Sequence, residues 1–129
     1  MENPLIEVCV DTLADALHAE SKGANRIELC SHLSLDGLTP TLELTKKTLA
    51  ALKIPVHVMI RSRAINFQYK PHEIEMMIKT IHTYKNLGIK GIVSGALLVD
   101  FTIDLPSVRK VAKAAEGLNF VFHKAIDFT

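Results

Sequence analysis

The stretch RIELC, residues 26–30, repeats the pattern of IEVC, residues 6–9: in each, a glutamate and then a cysteine alternate with branched aliphatic residues or leucine. Successive side chains of a β-strand point to opposite faces. Val8, Val10, Ile27 and Leu29 therefore share one face, and Glu7, Cys9, Glu28 and Cys30 share the other. The same split continues along the chain. Val56, Val58, Ile60, Phe120 and Phe122 extend the apolar side, whereas His57, Met59, Arg61, Val121 and His123 extend the second.

Five runs read as strands: LIEVCV (5–10), RIELC (26–30), PVHVMI (55–60), KGIVSGA (90–96) and LNFVFHK (118–124). Helical spacing separates them. Ile74, Met77, Ile78 and Ile81 follow the i, i+3, i+4, i+7 rule, as do Val108, Val111, Ala112 and Ala115. Pro40, Pro71 and Pro106 mark helix starts, with Thr39 as an N-cap, and Gly23, Gly88 and Gly117 mark helix ends. Five strands alternating with four helices give right-handed βαβ units and a parallel sheet.

Two architectures have that rhythm, a doubly wound open sheet and a (β/α)8 (TIM) barrel. A doubly wound sheet is covered by helices on both faces and needs both apolar. One apolar face and one polar, enclosed face fits a barrel, with the glutamates and cysteines directed at its axis. A complete barrel typically takes about 250 residues, so this chain is expected to supply an incomplete barrel of about five strands and four helices. Open strand edges template pairing, and a homo-oligomer is expected.

The 129 residues are 48% hydrophobic with a formal net charge of +1, which suits one globular domain and recruits neither nucleic acid nor membrane. No apolar run approaches the ~20 residues of a membrane span. MENPLIE leads into no basic-then-apolar segment, so no secretory signal is read and a cytoplasmic location is expected. Two cysteines do not make a disulfide framework, and in a reducing compartment both are expected as free thiols.

The stretches IEVCVDTLADALHAESKGANRIELC, GLTPTLELTKK, IPVHVMIRSR and FVFHKAID resemble the N-terminal part of the CutC family, named for copper homeostasis, in order and with spacing intact. The resemblance implies a single TIM-barrel domain of which residues 1–129 are the N-terminal part, with about three βα units absent. It also implies a pocket containing Glu7, Cys9, Glu28, Cys30, His57, Arg61, Arg63, His123 and Asp127, with Lys124 where an arginine is common. Two loops depart from the family pattern. RSRAINF (61–67) stands where R-P-R-G-G-D-F is usual, so Ala64 and Ile65 replace glycines and Asn66 an aspartate; Asp100 is followed by Phe101 where D-G is frequent.

The candidate site can be read in three ways. Cys9 and Cys30, in neighbouring strands, can share one soft ion, and thiolate or thioether sulfur selects Cu(I); Met59 and His57 are candidate additional ligands. Zinc takes the same Cys and His donors, and a free cysteine is also commonly just a small buried hydrophobe. Glu7, Glu28, Arg61 and Arg63 read first as a buried salt-bridge network, because an unpaired buried charge costs several kcal/mol. The alternative is an enzyme acting on a small anionic metabolite, with Glu7, Glu28, Arg61 and His123 as candidate catalytic residues. His123 and Asp127 fall at the C-terminal end of the fifth strand, where TIM barrels keep their chemistry. His18, His32, His72 and His82 read as surface.

Overall fold

A computed structural model describes residues 4–129. Its elements are β1 (Glu7–Val10), α1 (Leu13–Ser21), β2 (Arg26–Leu29), α2 (Leu42–Ala51), β3 (Val56–Met59), α3 (Pro71–Lys85), β4 (Gly91–Ser94), α4 (Leu105–Ala114) and β5 (Asn119–Phe122). Short 3-10 turns cover Leu33–Leu35 and Lys124–Phe128. All neighbouring strands are parallel, in the order β1-β2-β3-β4-β5. A doubly wound sheet reverses its strand order at a switch point. This sheet never does, so it is five consecutive βα units of an incomplete TIM barrel. Among the described residues β1 and β5 each have one strand neighbour.

The main core lies between sheet and helices. Val10, Ile27, Leu29, Val56, Val58, Ile60 and Ile92 from the strands meet Ala16, Ile74, Met77, Ile81 and Val111 from the helices. The period-two and period-3.6 patterns therefore converge on one layer, as alternation requires. A smaller cluster of Cys30, Met59 and Val93, with Val121 against it, occupies the opposite, axial face.

Three expectations need correction. Thr39 is not the cap of α2. Thr41 is, its hydroxyl accepting from the Leu44 N–H at 3.1 Å, while Thr39 clamps the Arg61 backbone by donating its N–H to the Arg61 carbonyl and accepting from the Arg61 N–H at 2.9 Å. Ala112 is exposed, and Ala114 takes its place on the buried stripe of α4. Phe122, at the end of β5, packs with Phe67, Leu97 and Ala125 in a loop layer above the strand ends rather than with the main core.

Candidate functional site

The axial face is stacked in three levels. At the N-terminal ends of the strands, Glu7 forms an ion pair with Arg26. His57 Nδ1 lies 3.7 Å from the same carboxylate and its Nε2 lies 3.3 Å from Asn119 Nδ2. His57 is fully buried, and burial, followed by the charge of Arg26, lowers its pKa from the ordinary imidazole value. Gly91, in register with His57 and Asn119, makes room for the His57 ring. A Cβ there would sit 2.8 Å from both the Asn119 carbonyl oxygen and His57 Nε2, closer than real contacts allow.

The middle level holds the sulfurs. The strand register sets Cys9 beside Glu28 and Glu28 beside His57, so Cys30 lies two residues further along than the partner of Cys9. The two thiols are diagonal neighbours rather than level ones. Cys9 is exposed and Cys30 buried. The neighbouring Cys30 thiol, then burial and the nearby Glu28 carboxylate push the Cys9 thiol far above its ordinary value, while the neighbouring Cys9 thiol lowers Cys30. Cys30 Sγ also lies 3.4 Å from the Val10 carbonyl oxygen. Met59 packs against Cys30. Glu28 itself is raised, first by burial and then by Glu7.

The C-terminal level holds Arg61, Phe67 and His123. Arg61 is 5% exposed, donates through Nη1 to the carbonyls of Leu35 (2.9 Å) and Gly37 (3.3 Å), and stacks 4.6 Å above the Phe67 ring centre. The expectation that it neutralises Glu7 or Glu28 fails, because both carboxylates lie at lower levels and Arg26 holds Glu7. Among the described residues no carboxylate pairs with Arg61. His123 is 7% exposed, its ring 4.8 Å from that of Phe67, and burial pushes its pKa down to about 4.

Arg63 turns away from the axis to Glu73, Asn66 and the Gln68 carbonyl, and so organises the loop between β3 and α3. Asp127 is exposed. Lys124 pairs with Asp36 at 2.9 Å. His18, His32, His72 and His82 are exposed, as expected.

The structure thus brings Cys9, Cys30, Met59 and Glu28 together. It places His57 with Glu7, and His123 with Arg61. Among the described residues no group of three or more His, Cys, Asp and Glu side chains is arranged to hold a metal. Sequence reasoning missed Arg26, although it shares the alternation of Glu28 and Cys30, and it missed Phe67 and Tyr69, loop residues that carry no periodic signal.

The sequence profile of the CutC family matches residues 4–129. The chain belongs to the CutC family. It is 45% identical over 122 residues to a family protein CutC of Histophilus somni and 44% identical to one of Pasteurella multocida, covering 95% of this chain and 50% of each relative. The chain spans about half the length of the curated relatives it matches. A crystal structure of the CutC protein of Streptococcus agalactiae, whose name assigns it to copper homeostasis, superposes with a TM-score of 0.90 at 33% identity, covering 96% of this chain and 60% of that one. Thiamine phosphate pyrophosphorylase of Pyrococcus furiosus, at TM-score 0.56 and 23% identity over 87% of this chain and 48% of that one, shares the fold alone.

Two loop residues carry a conformational cost. Ile65 has φ of +81° and Phe101 has φ of +66°, left-handed backbone that favours glycine. A β-branched residue there is an outlier, and Ile65 is 92% exposed, so no packing compensates. Ile65→Gly is expected to raise the unfolding free energy by about 1 kcal/mol, the relief of left-handed strain less the entropy of a freer unfolded chain. A urea melt that shows no gain, or a loss, contradicts this.

Proposed function

We propose that this chain is the part of a copper-homeostasis protein that holds Cu(I) through Cys9 and Cys30, with the Met59 thioether as a third soft donor. The observation carrying the reading is two free thiols on the axial face of neighbouring strands, with Met59 packed on Cys30. Two sulfurs and a thioether are soft donors that suit Cu(I). Structural zinc takes four ligands, and here His57 Nε2 faces Asn119 at 3.3 Å while His123 lies with Phe67. The offset register does not oppose the reading, because diagonal neighbours on one sheet face are ~7–8 Å apart, and an ion held between two thiolates bridges that gap rather than requiring the sulfurs to touch. Free thiols imply a reducing compartment, the cytoplasm. The open edges of β1 and β5 support association with a second copy.

Serine at Cys9 or at Cys30 is expected to weaken Cu(I) binding by more than the roughly 10–100-fold that follows loss of a partner outside the first coordination shell. Serine at both should add little, since either change already dissolves the pair. Anaerobic competition against a colorimetric Cu(I) chelator measures this. Unchanged affinity in the double variant would leave the cysteines as core packing.

A further inference from the structure

We infer that the C-terminal end of the sheet carries a second site, separate from the sulfurs, that binds the carboxylate group of a small molecule through Arg61, Tyr69 and His123. Three buried polar atoms there have no hydrogen-bond partner among the described residues: Arg61 Nε, the Tyr69 hydroxyl and His123 Nε2. Leaving such atoms unpaired costs about 1–3 kcal/mol each. Three in one neighbourhood point to a ligand. Arg61 links them. Its guanidinium stacks on Phe67, whose ring also packs against His123, and the Tyr69 hydroxyl lies beside it without reaching bonding geometry.

The polarity of the three atoms identifies the chemistry. Arg61 Nε can only donate. His123 Nδ1 accepts from the Ala125 N–H at 3.2 Å, which leaves the ring proton on Nε2 and makes that atom a donor. The tyrosine hydroxyl can complete a set of three donors. A ligand that meets three donors must offer acceptors alone, and an ionised carboxylate does so. Charge narrows the choice. Arg63 is taken by Glu73 and Lys124 by Asp36, so Arg61 brings a single uncompensated positive charge. One negative charge neutralises it, whereas a phosphate dianion leaves an excess in a buried setting. The site does not use Cys9, Cys30 or Met59, so it stands or falls apart from the copper reading.

The test is a titration of the chain with sodium acetate at constant ionic strength, following the His123 Nε2 resonance by NMR, with inorganic phosphate as the second probe. Saturable binding of acetate is expected, tighter than that of phosphate. Tyr69→Phe removes one oxygen without altering packing, and should weaken acetate binding by about tenfold, the value of a hydrogen bond to a charged group. Arg61→Gln should abolish it, and Cys9→Ser should leave it unchanged. No saturable response to acetate, or equal affinity in Tyr69→Phe and the unaltered chain, would overturn the site. Tighter binding of phosphate would overturn the carboxylate assignment.

Discussion

Leu29→Ala is expected to cost about 2–5 kcal/mol of unfolding free energy, the usual range for emptying a fully buried leucine site, while Glu28→Gln one residue earlier changes stability little. Leu29 is fully buried between sheet and helices. Glu28 faces the axis, where burial and the Glu7 charge already disfavour its ionised form. Removing that charge therefore relieves a penalty and breaks no ion pair. Urea denaturation of the two variants at neutral pH compares them directly. Similar losses from both would mean that the axial face is packed like a second core, as in a doubly wound sheet, and would contradict the barrel.

Acid is expected to weaken the fold through His123. Its folded pKa, about 4, lies below the unfolded value of 6.5, so between those limits the unfolded chain binds the extra proton and stability falls as pH falls. Above pH 6.5 the contribution is complete; toward pH 4 it is lost. A difference of that size corresponds to about 3 kcal/mol, and the residue is too buried for solvent to screen it away. His57, also lowered by burial, acts in the same direction. Glu28, raised by burial, acts in the opposite one, retaining its proton more readily in the folded chain. His123→Asn retains an acceptor for the Ala125 N–H and removes the titration. Denaturation midpoints at pH 7.5 and pH 5 should lie closer together for the variant than for the unaltered chain. Parallel pH profiles would show that His123 does not titrate against burial.

Much of this was legible from one pattern. The alternation in RIELC and IEVC assigns Glu7, Cys9, Glu28 and Cys30 to the axial face, and the structure places all four there, with Leu29 and Val10 in the opposite core. A period of two names a face but gives no height along it. Height is set by register, and the stagger of strands needed to curve a sheet brings Arg26 level with Glu7, Glu28 level with Cys9, and Arg61 above all of them. Arg61 was therefore assigned a carboxylate partner that lies at another level. Tyr69 and Phe67 were invisible for a different reason. Their burial comes from a loop folding over the strand ends, held by Arg63 on Glu73 and Asn66, and such contacts leave no period in the sequence.

The proposed Cu(I) pair of Cys9 and Cys30 on the axial face gives the metal a sulfur shell, which copper K-edge X-ray absorption of the anaerobically loaded chain reads. A first shell of sulfur alone is expected, from Cys9, Cys30 and Met59, diminished when Met59 is replaced by leucine and lost in Cys9→Ser. A shell dominated by nitrogen or oxygen, or an unchanged sulfur shell in Cys9→Ser, would contradict it.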